Sequence, residues 1–398
     1  MIRRIKLDEL KIGMFVERFG AGTWDEPVSS PRMPITTIEQ IESLRRRGVV
    51  EVEIDTEKGL ALDDAVRDKG GDALPFVQVP PKVPFADEIP VASKVYTEGL
   101  RYARQIMESA RRDGIIDQAA AEAVVDDLGD SVRRNESAAV SLTRLRSTLE
   151  YEYHHAVNCS ILALVFGMHL GMDGEDLRRL GVGALLHDVG KARLPENLLS
   201  KPGRLYGEEL RRAYDHALEG YNLLKRQRKS DARVLSVVLQ HHERYDGQGY
   251  PTGLRGEDIH PAARIVGVVD AYDAMTSERP YARARTPSET FRVMYQQRDK
   301  QFQGAYVEHF IKSMGIYPVG SFVRLSNGHY GVVCETNAQQ PLRPSVKIVF
   351  DDKMRQRRAE VVDLAERARG PEPQRLEIAE SLDPRDYKID VMRLLGSG

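Results

Sequence analysis

Seven side chains in one stretch of the chain can ligate metal: His155, His187, Asp188, His216, His241, His242 and Asp270. The chain has ten histidines, and five of them are among these seven side chains. Each lies in or beside a helical pattern. Imidazole combined with carboxylate suits Fe, Mn, Zn or Ni better than Ca or Mg alone. His187 and Asp188 are neighbours at a helix end, in the segment LHDVGK, so their side chains diverge by about 100° on the 3.6-residue period. His241 and His242 diverge likewise. Seven ligands exceed what one tetrahedral ion needs and suit two ions bridged by a carboxylate and a water. Two metals roughly 3.5–4 Å apart clamp the attacking and leaving oxygens of a phosphoryl displacement and make hydroxide near neutral pH. The expected chemistry is metal-dependent hydrolysis. His154 sits beside His155 but turned about 100° away, so it ranks behind it as a ligand. His169, His260, His309 and His329 have no such partners and read as packing or surface residues.

These ligands need helices to carry them. Apolar periodicity predicts helices over His154–Leu170, Glu175–Asp188, Gly207–Lys225, Ala232–Glu243 and Ala262–Thr276, the last apolar almost throughout and so central. A glycine- and proline-rich loop runs from Asp246 to Pro261. Ahead of this core, helices are predicted over Ser93–Arg112, Ile115–Leu128 and Asn135–Arg146. The N-terminal part reads as short strands at Arg4–Leu7, Met14–Glu17 and Val49–Ile54 around a helix at Ile38–Arg47, capped by Thr36 or Thr37. Residues 68–92 hold five prolines and read as a linker. After Ile316, β-like runs at Pro318–Leu325, Tyr330–Thr336 and Ser345–Phe350 follow, joined by Asn327-Gly328 and a proline-containing loop. The expected fold class is mostly α: an all-helical metal-binding bundle between a small N-terminal α+β module and a small C-terminal β module. The units are 1–67, the linker 68–92, connecting helices 93–148, the bundle 149–316, and a β extension with its tail, 317–398.

At 398 residues the chain has room for two or three domains. A net charge of −2 excludes a chain-wide basic surface for nucleic-acid polymers, so any anion site is local. Two cysteines, Cys159 and Cys334, are too few for a disulfide framework. No run of 18 apolar residues exists, and the N-terminal segment MIRRIKLDELKIG lacks the apolar region of a signal peptide. A cytoplasmic protein is expected. Cys159, four residues after His155, reads as a buried apolar thiol. Trp24 reads as a packing residue, and Arg45–Arg47 and Arg355–Arg358 as solvated faces.

His187-Asp188 with Gly190-Lys191 resembles the motif that names the HD superfamily of metal-dependent phosphohydrolases. His241-His242-Glu243-Arg244-Tyr245-Asp246-Gly247-Gln248-Gly249-Tyr250-Pro251 resembles the second signature of its HD-GYP subfamily. Lys201-Pro202-Gly203, His216, Arg264-Ile265-Val266 through Asp270, Asp273-Ala274 and Arg279-Pro280-Tyr281 continue the match over about 165 residues. The resemblance implies a cyclic di-GMP phosphodiesterase making pGpG and then GMP through a hydroxide bridging two metals, with iron or manganese as the metal. It implies metal roles for the seven ligands, with Asp188 bridging, and a catalytic role for Lys191 at the scissile phosphate or leaving oxygen. It places Arg279 at the ligand's phosphate or guanine, with Arg283 and Tyr250 as further substrate contacts. Gly247, Gly249 and Pro251 read as turn chemistry shaping the loop.

Two positions depart from the family pattern. Some members hold a third metal with a glutamate four residues before the first histidine; here that position is Tyr151, between Glu150 and Glu152, which favours two metals. A basic residue often follows Arg-Pro-Tyr; here it is Ala282, with Arg283 and Arg285 next in line. Residues 1–58 resemble an uncharacterised module found before HD-GYP domains, and Tyr317–Leu325 resembles a small β extension found after some. Signalling proteins such as diguanylate cyclases, and a second copy of the chain, are the partners considered. The alternative to catalysis is a slow cyclic-dinucleotide-binding signalling module acting through partner contacts.

Overall fold

The computed structural model describes residues 2–7, 10, 15–20, 33–35, 38–55, 74–144, 150–199, 201, 203–227, 230–278, 283–337, 340–368 and 375–396. The Thr36 and Thr37 cap, Trp24 and the Arg279–Ala282 segment lie outside the described residues. The N-terminal part holds β1 (Ile2–Lys6), β2 (Phe15–Gly20), β3 (Met33–Pro34), α1 (Ile38–Arg46) and β4 (Glu51–Asp55). Its antiparallel sheet has the order β1-β4-β2-β3. Val16, Phe19, Leu44, Val52 and Ile54 bury one face of sheet and helix in a small core of their own.

The helical part comprises α2 (Phe85–Arg112), α3 (Gln118–Arg134), α4 (Glu136–Leu142), α5 (Tyr151–His169), α6 (Gly174–Leu186), α7 (Glu196–Leu199), α8 (Gly207–Arg226), α9 (Ala232–Gln240), α10 (Pro261–Thr276), α11 (Pro287–Gln296) and α12 (Gly304–Met314). Helix α5 is buried on every side, from Val157 through Gly167, and packs between α6 and α10. It shares the central place expected for α10 alone. The C-terminal part adds β5 (Phe322–Leu325), β6 (Tyr330–Glu335), β7 (Ser345–Phe350), β8 (Gln356–Asp363), α13 (Leu364–Ala368), β9 (Ile378–Leu382) and α14 (Val391–Gly396). Its antiparallel sheet runs β8-β7-β6-β5-β9. The fold class is the expected one. No helix among the described residues is long and apolar enough to cross a membrane.

Several boundaries differ from the sequence reading. Helix α2 begins eight residues ahead of Ser93 and takes Pro90 into its second turn, so part of the 68–92 stretch is helical. The remainder is docked: Val77 exchanges hydrogen bonds with His169, whose ring stacks on Phe76, and His309 bonds the Leu74 carbonyl. His169 and His309 are thus buried structural histidines. Helix α3 starts at Gln118 because Asp117 caps it, its carboxylate accepting from the Ala120 amide. Asn135 is a cap, not the first helical residue, of a short α4. The Arg355–Arg358 run mostly lies in β8, an edge strand whose exposed charges oppose further pairing.

Candidate metal centre

The site lies where α5, α8, α10 and the ends of α6 and α9 converge. His187 caps α6 and Asp188 begins the tight 3-10 turn Val189–Arg193; His241 caps α9 and His242 follows. Both pairs therefore sit just past their helices, where successive side chains turn inward together. Glycine makes the approach of these segments possible. A Cβ on Gly190 would overlap the His216 carbonyl and the Gly220 amide, so the Asp188 turn rests main chain on main chain against α8. Gly249 lies equally close to the backbone of Glu243 and Arg244.

The ligand atoms form two groups, each within 4.8 Å: His155, Cys159, His187 and Asp270 in one, and Asp188, His216, His241 and His242 in the other. Asp188 faces both. Its Oδ2 is 3.3 Å from His187 Nε2 and 3.7 Å from His155 Nε2; its Oδ1 is 3.3 Å from His216 Nε2 and 3.9 Å from His241 Nε2. Asp270 completes the ring, with Oδ1 3.1 Å from His155 Nε2 and Oδ2 3.8 Å from His242 Nδ1.

The tautomers follow from the second set of partners. Nδ1 of His187 lies 2.7 Å from the Ala184 carbonyl, that of His216 2.6 Å from Ala213, and that of His241 3.0 Å from Val238. A carbonyl only accepts, so each Nδ1 carries the proton and each Nε2 turns a lone pair to the site. His155 Nδ1–H donates instead to Asp273 Oδ2 at 2.7 Å, and Asn158, which accepts from Tyr96, donates to Asp273 Oδ1.

This arrangement fits cations. Nε2 of His216 and Nε2 of His241 face each other at 3.4 Å, lone pair to lone pair. Nε2 of His187 and Oδ1 of Asp188 are buried without hydrogen-bond partners among the described residues. Burial keeps His216, His241 and His242 neutral; His242 is pushed down to about 3 by burial, with His216 and Lys191 adding to the effect. Burial would raise Asp188, but Lys191 and His187 hold it well below the usual carboxylate range. His155 goes the other way: burial would lower it, but Cys159, Tyr151, Asp270 and Asp273 raise it. The neutral imidazoles of His216, His241 and His242 beside the ionised Asp188 are what divalent metals bind.

The remaining expected site residues are placed unevenly. Lys191 Nζ donates to Asp188 Oδ2 at 2.6 Å, so it touches the centre through that carboxylate. Tyr250 stacks on Tyr214 with ring centres 3.8 Å apart and lies 4.7 Å from the His242 ring. It lines a cavity of about 450 Å³ that also includes Asp270, Arg264 and Gln303. Arg283 is exposed and paired with Asp386 and Asp383 of the β module. His154 turns away to the Tyr96 hydroxyl.

Three features escaped the sequence reading. Asp273 is 118 residues from the histidine that it orients, which no local pattern reveals. Cys159 lies in the first ligand group; burial pushes its thiol up to about 12, so it stays protonated there. Glu243 is buried and accepts from the Thr252 hydroxyl and the amides of Thr252, Gly253 and Leu254, fixing the loop behind Tyr250. A carboxylate directly after two ligands was the available signal.

The chain is similar to known proteins over most of its length. Residues 138–305 match the HD domain family, 2–121 a domain of unknown function (DUF3391), and 322–389 the KOW domain associated with HD domain. The chain is 35% identical over 356 residues to cyclic di-GMP phosphodiesterase PA4108 of Pseudomonas aeruginosa, covering 88% of this chain and 86% of that protein. It is 37% identical over 177 residues to the cyclic di-GMP phosphodiesterase response regulator RpfG of Xanthomonas campestris, covering 43% and 47%. It is 31% identical over 166 residues to 3'3'-cGAMP-specific phosphodiesterase 2 of Vibrio cholerae, covering 42% and 31%.

Proposed function

The chain belongs to the HD-GYP family of metal-dependent cyclic dinucleotide phosphodiesterases, and from that premise we propose that it hydrolyses cyclic di-GMP to pGpG and then GMP. One observation carries the reading: the two oxygens of Asp188 are divided between two groups of ligand nitrogens. Two ions would be held, one by His155, His187 and Asp270 and one by His216, His241 and His242, with Asp188 shared. When bound, such ions acidify water and neutralise charge developing on phosphorus. Iron or manganese suits this mixture of nitrogen and oxygen donors.

The protein's own groups then have definable tasks. Asp273 and the three backbone carbonyls fix the imidazole rings, so little reorganisation is needed during reaction. Lys191 keeps Asp188 ionised and sets a positive charge beside the centre for the phosphoryl oxygens. The Tyr250 wall and the loop held by Glu243 border the cavity that would receive a nucleotide. In each step water adds to phosphorus, the P–O3′ bond breaks, and the 3′ oxygen leaves with a proton. Tyr151 stacks flat on His155 where a third metal would need a carboxylate, so we propose two ions. Arg279 is proposed as a substrate contact from its sequence position.

The test is turnover of cyclic di-GMP with Mn²⁺ or Fe²⁺, with product separation and elemental analysis on the same sample and Asp188→Asn as control. We expect pGpG followed by GMP from the wild type and neither from the variant. A metal-loaded wild type that binds cyclic di-GMP without turning it over would instead establish the slow signalling module.

A further inference from the structure

A second cavity, of about 580 Å³, lies between the helical part and the C-terminal β module. It shares no lining residue with the cavity in front of the ligand groups. Tyr151 forms part of its wall, and the same ring stacks on His155 with 15° between the planes. The volume falls within the range of small-molecule sites, and the lining has the usual mixture of apolar surface with a few polar groups.

Two of those polar groups lack partners. Nη2 of Arg144, just past the end of α4, and Oγ of Ser321, just before β5, are buried without a hydrogen bond among the described residues. The two come from different modules, and the Arg144 stem packs 3.4 Å from where a Cβ of Gly320 would stand. No described carboxylate pairs with Arg144. The acids on the walls are occupied elsewhere: Glu278 and Asp383 pair with Arg385, and Asp390 accepts from the Arg393 amide. Arg285, also on the wall, has its Nη1 against the Met275 sulfur. The cavity is therefore bordered by one guanidinium and one hydroxyl without described partners, above an apolar floor that includes Phe322 and Leu382. A buried guanidinium N–H without an acceptor is costly, and an anion with a flat, weakly polar body would relieve that cost.

We propose that this cleft is a second ligand site that takes a phosphorylated nucleoside, its phosphate accepting from Arg144 and Ser321. The choice of a nucleoside rests on the proposed phosphodiesterase reaction; the phosphate assignment rests on the cleft alone. The probe is GMP, titrated calorimetrically into the full chain after metal removal with EDTA. One GMP per chain is expected. Arg144→Gln and the milder Ser321→Ala should each weaken binding about tenfold or more, as the loss of a charge-assisted or buried hydrogen bond predicts. Guanosine, without the phosphate, should bind at least about tenfold more weakly than GMP. Both variants should hydrolyse bis(p-nitrophenyl) phosphate like the wild type, and their melting curves show whether each is folded.

GMP binding that disappears with the metals, that both folded variants retain at full strength, or that guanosine matches would overturn the proposal. So would absence of binding at millimolar GMP. A chain that binds GMP in this way but never hydrolyses cyclic di-GMP would uphold the cleft and overturn the reaction. The reverse result would do the opposite.

Discussion

The two ligand groups differ in what stands behind them. Around His155, His187 and Asp270 the surroundings are ionic: His155 is backed by the carboxylate of Asp273, and its ring is pushed toward the charged form. Around His216, His241 and His242 the rings are neutral, and His216 and His241 are backed by main-chain carbonyls. Asp188 joins the two. The difference teaches that one ring of the first half, His155, is oriented by a side chain, which substitution can alter, whereas His187, His216 and His241 are oriented by main-chain carbonyls, which it cannot.

The sharpest way to break this division is to remove what both halves share. Asp188→Ala is expected to lose both metals and reduce turnover to background, with the helical circular dichroism unchanged. Retention of two metals per chain with full turnover would show that Asp188 joins nothing. Next in size, His155→Ala and His241→Ala are each expected to lose about one of two metal equivalents, from opposite halves. Anomalous scattering at the metal edge identifies which peak disappears; loss of the same peak in both variants would merge the halves into one site.

A smaller effect sharpens the contrast. Asp273→Asn keeps the shape but weakens the acceptor for His155 Nδ1–H, so metal affinity should fall about 10–100-fold in the first half only. Mn²⁺ titration should then resolve one weakened and one unchanged step. Equal weakening of both would mean that Asp273 steadies the whole bundle.

The smallest effect concerns a buried histidine outside both groups. His169 uses both ring nitrogens, on the Val77 carbonyl and on Glu136 at 2.7 and 2.9 Å, so it has none left for a metal. Burial would lower its pKa, but Glu136 and Val77 raise it. A raised folded-state pKa contributes stability below the unfolded value of about 6.5 that is lost as pH rises through the folded value. Glu136→Gln should thus cost about 1 kcal/mol at pH 6 and less at pH 8, read from denaturant melts. A cost that grows with pH would reverse the assignment.

Much of this was legible in the chain. His187-Asp188 and His241-His242 are paired in sequence because each follows a helix end, and the glycines that permit close approach are visible beside them. The helical core could be read from its periodicity. What stayed hidden depends on contacts between distant segments. Asp273 and Asn158 meet only through folding, and Cys159 joins a ligand group only because α5 turns the face that bears His155 inward. Strand β8 lies at a sheet edge, where exposed arginines conceal its alternation, and Pro90 disguised the start of α2. Arg283 matched a substrate contact by position, yet it is tied to the β module by Asp383 and Asp386, a contact between modules that no local motif carries.

The contact of Gly190 with α8 has a mechanical consequence. Packed elements ordinarily slide on layers of side chains, whose rotamers absorb small displacements. Here there is no such layer between the Asp188 turn and the His216–Gly220 segment. The acidic residue shared by both halves and a histidine of the second half therefore move as a single body. Any breathing that admits a bulky ligand must be taken up elsewhere, in the loop around Tyr250 or along the seam with the β module.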